Sequence, residues 1–143
     1  MTIYTIGFAQ KNAEDFFSLL TKNKIRKLVD IRLNNTSQLA GFANAKHLPY
    51  FLKLHNIEYE YKSELAPSKE LLKNYKDNLI NWEEYVKIYN QLLIERDVLK
   101  NISIDDLDNI VLLCSEPTAE QCHRRLMAEY LADNFEDIDI KHL

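Results

Sequence analysis

Short apolar runs alternate along the chain with stretches whose apolar residues recur at helical spacing. Ile3-Tyr-Thr-Ile-Gly7-Phe is a β-rich run closed by a glycine, which predicts a strand and a tight turn. Asn12-Ala-Glu-Asp15 then supplies a cap and an acidic first turn, and Phe16, Phe17, Leu19 and Leu20 give the helix an apolar face ending near Lys22–Lys24. Leu28-Val-Asp30-Ile-Arg32 reads as a second strand, whose alternation puts Asp30 and Arg32 on one face or one edge. The polar run Leu33-Asn-Asn-Thr-Ser-Gln38 is a loop. Ala43 to His55 is helical in pattern, with Leu48, Phe51, Leu52 and Leu54 apolar, and Pro49 sets the start of its regular part.

Ile57-Glu-Tyr59-Glu-Tyr61 alternates as a strand does. Ala66-Pro67-Ser68 ends it and opens a helix around Leu71, Leu72 and Tyr75. Asn81-Trp-Glu-Glu84 has the form of a capping box before a helix striped by Tyr85, Val86, Ile88, Tyr89, Leu92 and Leu93. Ser103-Ile-Asp-Asp106 predicts a short acidic turn or helix. Ile110-Val-Leu-Leu-Cys114 is apolar throughout, as a strand covered on both faces must be. Thr118-Ala-Glu-Gln121 matches a second capping box, so the next helix is expected from Thr118. Ile138-Asp-Ile140-Lys-His142-Leu closes the chain as a strand.

Strands alternating with helices specify an α/β fold. We expect a single three-layer domain over residues 1–143, with a mostly parallel central sheet of about five strands flanked by helices. Ligands of open α/β sheets lie beyond the carboxyl ends of the strands. That rule directs attention to Gly7, Arg32, Cys114, Ser115 and Glu116, with Asp30 one step inside.

Composition narrows the class. The chain has 143 residues, 28% of them charged, and a net charge of −4, which disfavours an extended basic face for nucleic acid. No apolar run approaches the ~18 residues of a membrane span, and the first residues lack a secretory pattern. Two cysteines do not make a disulfide framework, so reduced thiols and a cytoplasmic location are expected.

Candidate chemistry concentrates between Ile110 and Arg125. Cys122 near a helix N-terminus is a candidate for a lowered thiol pKa, or else a small buried packing residue. Cys114 is read as a core thiol, or as the partner of Cys122 in a reversible disulfide across Cys-x7-Cys. Cys122 and His123 are neighbours, and on a helix their side chains would diverge by about 100°, which speaks against a thiolate–imidazole pair. Cys114, Cys122 and His123 with Asp30 or Glu116 could ligate a metal, but the spacing matches no usual paired-ligand pattern, so neither metal nor cofactor is expected. Arg124 suits either an anion or a structural ion pair with Asp30. No GxGxxG, Walker loop, HExxH or GxSxG is present.

These residues resemble the domain-of-unknown-function 488 family. Tyr4-Thr-Ile-Gly7 is similar to its opening strand, Leu28-Val-Asp30-Ile-Arg32 to its Asp-x-Arg strand, and Ile57-Glu-Tyr59 to its middle strand. Leu112-Leu-Cys114-Ser-Glu116 followed by Cys122-His123-Arg124 resembles its most distinctive segment, and Lys141-His142-Leu its last strand. Phe8 and Ala9 stand where the family often has a His and a Ser, and a proline is missing after the Asp-x-Arg strand. A glycine-rich turn is replaced by Glu64-Leu-Ala-Pro67. The resemblance implies a fold and a site; if the His-Ser pair is catalytic in relatives, that activity is altered or absent here.

The leading expectation is a pocket for a small anionic or nucleotide-like ligand at the strand ends, serving a thiol-dependent enzyme. Cys122 would be the nucleophile or redox thiol and Asp30 or Glu116 the acid/base, while Arg32, Arg124, His123, Cys114 and Gly7 would bind ligand. The rival reading is a non-catalytic module for nucleic acid or a protein, with the Cys/Arg/carboxylate cluster purely structural. No membrane partner is expected, and oligomeric state is open.

Overall fold

A computed structural model describes residues 1–36, 41–116 and 118–143. Ser37 and Gln38 of the polar loop, and Pro117 of the strand–turn–helix segment, lie outside the described residues. The regular elements are β1 (Thr2–Gly7), α1 (Ala13–Lys22), β2 (Lys27–Asp30), α2 (Leu48–Leu54), β3 (Glu58–Tyr61), α3 (Lys69–Lys76), α4 (Trp82–Glu95), β4 (Ile110–Cys114), α5 (His123–Asn134) and β5 (Asp139–His142). The five strands form one open sheet in the order β3-β2-β4-β1-β5, and every pairing is parallel.

β4 lies in the middle, and all its residues are buried. Its alternation builds both cores. Ile110 and Leu112 pack with Tyr85, Tyr89 and Leu93 of α4 and Leu126 and Leu131 of α5. Val111 and Leu113 pack on the opposite face with Phe16, Phe17 and Leu20 of α1 and Leu48 and Leu52 of α2. The chain leaves β1 and β2 toward α1 and α2, but leaves β4 toward α5 on the other face. Loops diverging to opposite faces from neighbouring strands open a crevice at the strand ends. Here it falls at the carboxyl end of β4.

Caps explain most of the helix boundaries. Asn12 accepts from the Asp15 amide at the start of α1, and Ser68 accepts from the Leu71 amide before α3. Asn81 and Glu84 form the reciprocal capping box before α4. Pro49 sits in the first turn of α2, as its missing N–H allows.

One helix start departs from expectation. α5 begins at His123 rather than Thr118, and Thr118–Gln121 forms turns. A capping box requires the Gln121 side chain to reach back to the Thr118 amide. Instead Gln121 Oε1 accepts a hydrogen bond from Tyr75 Oη of α3 at 2.9 Å. A long-range contact thus competes with the local motif. Cys122 becomes the N-cap residue, with extended backbone at φ −133° and ψ 142°.

At the opposite end of the sheet, Lys27 carries a buried ammonium. Its Nζ donates to Asp106 at 2.9 Å and Glu60 at 3.0 Å. Burial alone would lower the Lys27 pKa, but these bonds outweigh it and raise the pKa above 10.5. Burial would raise the Glu60 pKa, yet the bonds to Lys27 and Lys62 bring it below 4.5. The bond to Lys27 is the main reason Asp106 lies below 3.8. Lys27→Ala is expected to destabilise the protein by about 1–3 kcal/mol, less than an enclosed pair because both carboxylates reach solvent. The carboxylate contribution is present above the unfolded pKa values and lost as pH falls through the lowered folded ones. The lysine contribution is complete below 10.5 and lost as pH rises through the raised folded value. Urea denaturation from pH 3 to pH 7 (roughly the carboxylate range) should therefore show a shallower acid loss in the variant than in the parent protein.

Candidate functional site

The carboxyl end of β2 is organised by Asp30. Arg32 folds back onto it in a two-point pair, Nε to Oδ1 at 2.8 Å and Nη2 to Oδ2 at 2.8 Å. The Arg32 amide adds a bond to Oδ1 at 3.2 Å, and Tyr59 Oη of β3 donates to Oδ2 at 2.7 Å. Burial, then the hydrogen bond to Asp30, raises the Tyr59 pKa, so it remains a donor through the physiological range. Asp30 is wholly buried and Arg32 is only 2% exposed. The ion pair foreseen as an alternative thus exists, but Arg32, rather than Arg124, is its cation.

Arg32 is not fully satisfied. Its guanidinium lies over the Phe8 ring, 5.4 Å from the centroid, and Nη1 is buried with no hydrogen-bond partner among the described residues. Phe8 therefore supplies a surface for the guanidinium at the position where a histidine was expected from the resemblance. Arg32 and Phe8 both line a cleft of about 760 Å³ above the sheet. Cys114, Ser115, Glu116, Cys122 and His123 line the same cleft, as do Tyr75 and Tyr85 from α3 and α4.

His123 begins α5 and is buried. Its Nε2 lies 2.7 Å from the Ile31 carbonyl oxygen, between Asp30 and Arg32. A carbonyl only accepts, so Nε2 carries the proton and Nδ1 presents its lone pair. Nδ1 is 4.0 Å from Cys122 Sγ. Burial brings the His123 pKa down to about 4, outweighing the bond to Ile31. The expected divergence of Cys122 and His123 is overturned, because Cys122 has extended rather than helical backbone.

Cys122 and Cys114 are joined by a disulfide, with Cα atoms 7.6 Å apart. The expectation of two reduced thiols is corrected in this structure. The turn after β4 folds back so that the N-cap of α5 returns to the strand end. Cys114 and Cys122 are 2% and 3% exposed. In this form neither sulfur is a free nucleophile.

Gly7, Asp30 and Arg124 do not line the cleft. A Cβ on Gly7 would overlap the Glu116 carbonyl oxygen and come within 2.5 Å of Arg124 Nη1. The glycine is needed so that β1 can pass the turn after β4. Arg124 is 1% exposed, donates from Nη1 to the Glu116 carbonyl at 3.2 Å, and its Nε has no partner among the described residues. Burial lowers its pKa to about 10, against the opposing influence of Glu116. Arg125 points outward and pairs with Glu129. Of the residues singled out from the sequence, Arg32, Cys114, Glu116, Cys122 and His123 converge on one cleft.

Phe8 and Tyr59 are the contributors that sequence reasoning passed over as functional residues. The alternating tyrosines of β3 are a signal for Tyr59, since β3 pairs in register with the Asp30 strand. Nothing local to Phe8 marks it as a support for a guanidinium contributed by another strand.

The family model described as Domain of unknown function DUF488 matches residues 12–131. The chain belongs to that family. No curated protein and no solved structure matches it. Among the described residues, no helix is long and apolar enough to cross a membrane.

The hydrogen bonds predict a ranking of substitutions. Asp30→Ala strands the buried Arg32 charge and should cost about 3–5 kcal/mol. Tyr59→Phe removes one bond to a carboxylate and should cost about 1–3 kcal/mol. Urea denaturation checks both, and equal losses would contradict the assignment of Arg32 as the principal partner.

Proposed function

We propose that this DUF488 protein binds a small anionic ligand in the cleft beyond β2 and β4, with Arg32 as its anchor. The observation carrying this reading is the buried, unpartnered Nη1 of an arginine that lines an open cleft. Leaving such a donor without an acceptor costs free energy, more for a charged group than for a neutral one. A phosphate or carboxylate oxygen would satisfy it. Asp30 would orient the guanidinium by occupying its other edge, and Phe8 would support its face. The N-terminus of α5 and Lys76 add favourable potential for an anion on the same cleft.

Within this reading the acid/base role falls to Glu116. It is exposed and lines the cleft, whereas Asp30 is enclosed and saturated with donors. Thiol chemistry belongs to the reduced form, in which Cys122 would lie at a helix N-terminus, where thiolates are favoured. Tyr75 and Tyr85 give the cleft an aromatic wall suited to a planar group carried by the anion.

Titration with inorganic phosphate and pyrophosphate, followed by calorimetry and by amide NMR shifts, tests the proposal. Saturable binding should perturb amides near Arg32 and His123 and weaken with salt. Arg32→Lys keeps a cation opposite Asp30 but loses the fork, and should weaken binding about tenfold or more. Absence of saturable binding, or equal affinity in a folded Arg32→Lys variant, would overturn it.

A further inference from the structure

We propose that, once its disulfide is reduced, the protein holds a thiophilic divalent cation of the zinc type on Cys114, Cys122 and His123, with an open coordination position facing the cleft. The inference rests on the cleft reading for its open position but not for its ligands. The three candidate ligand atoms lie within 4.8 Å of one another, and all three residues are buried. They come from two elements fixed independently by the core, the end of β4 and the start of α5. Two thiolates and one imidazole form a donor set that suits zinc.

The histidine is prepared for this role. Its Nε2–H is committed to the Ile31 carbonyl at 2.7 Å, which leaves Nδ1 as the free lone pair on the side of the sulfurs. Metal-bound histidines usually donate their other ring N–H to a carbonyl or carboxylate in this way, which fixes tautomer and ring plane. A tetrahedral ion with Zn–S of about 2.3 Å and Zn–N of about 2.0–2.1 Å places S and N about 3.6 Å apart. The observed Sγ to Nδ1 distance of 4.0 Å is close to that value.

The backbone spacing agrees. The Cα atoms of Cys114 and Cys122 are 7.6 Å apart, beyond the usual disulfide range of about 4.4–6.8 Å. Two thiolates sharing one ion stand about 3.8 Å apart, which suits a wider Cα span than a direct bond does. The α5 N-terminus also favours the anionic sulfur of Cys122. Spacing along the chain had argued against a metal. The turn that returns Cys122 to the strand end supplies in space what the sequence spacing lacks.

The chemistry balances. A dithiol reductant gives up two electrons and its two thiol protons and becomes a disulfide; a phosphine gives up two electrons while one water supplies the two protons and the oxygen of the phosphine oxide, and in either case the S–S bond breaks to two thiols. The divalent ion then displaces the two thiol protons and binds both thiolates and the neutral imidazole. Three protein ligands leave a fourth position, and all three residues line the cleft. An anion held by Arg32 would be placed to occupy it. A low-molecular-weight disulfide, by taking up the two electrons and leaving as two thiolates, would restore the Cys114–Cys122 bond and release the ion.

The test uses the full chain, reduced with a phosphine under anaerobic conditions and titrated with cobalt(II). The expected result is stoichiometric uptake with a thiolate-to-cobalt charge-transfer band and the strong visible bands of a tetrahedral site. Zinc should displace the cobalt and protect both thiols from a disulfide reagent. Protein reoxidised to the disulfide should show neither band. Cys114→Ser should lose the charge-transfer intensity of one thiolate. Arg32→Lys should keep the cobalt spectrum while losing anion affinity, which separates failure of this proposal from failure of the anion site. Reduced, folded protein that gives no charge-transfer band, and whose two thiols react equally fast with and without zinc, would overturn the proposal. That result needs no substitution and is independent of any variant's folding.

Discussion

A carboxylate and a guanidinium two positions apart, both removed from water, hold the carboxyl end of β2. Isolated burial of either charge would be prohibitive, and the pair persists because its geometry is two-pronged and supported by the Arg32 amide and Tyr59. The consequences extend in three directions. Tyr59 links β3 to β2. The Ile31 carbonyl, between the two charged residues, accepts from Nε2 of His123, the first residue of α5. The remaining guanidinium nitrogen, Nη1, is buried with no acceptor among the described residues.

The second constraint is the reversal of the chain after β4. β1 and β2 send their connections to one face of the sheet and β4 to the other, so the ends of three adjacent strands surround an opening. Gly7 lets β1 pass under the turn, where any side chain would collide with Glu116 and Arg124. Arg124 Nη1 then donates to the Glu116 carbonyl. Cys114, Cys122 and His123 are brought together by this reversal, not by their places in the sequence. The two arginines have different functions in the fold: Arg32 belongs to the cleft, and Arg124 to its foundation.

Polar groups at the two ends of the sheet behave differently. Lys27 at the amino end is neutralised by carboxylates that still touch solvent, an arrangement that tolerates a buried amine without enclosing its counter-ions. At the carboxyl end the charges are enclosed, and Arg32 Nη1 and Arg124 Nε have no partner among the described residues.

Apolar periodicity determined the order of strands and helices and the central place of Ile110–Cys114, and polar capping residues determined the helix starts near Asn12, Ser68 and Asn81, because both depend on local backbone preference and on which faces of an element are buried. The Asp-x-Arg alternation also made it legible that Asp30 and Arg32 share a side. Tertiary structure decided the rest. Tyr75 takes Gln121 away from its local capping partner, so α5 begins at His123 and Cys122 is left extended. In the same segment Cys122 is joined to Cys114, His123 meets the Ile31 carbonyl with Nδ1 near the Cys122 sulfur, and Arg124 reaches the Glu116 carbonyl instead of Asp30. Such choices rest on contacts such as Tyr75–Gln121 and Ile31–His123, between residues tens of positions apart, whose energies no local pattern encodes.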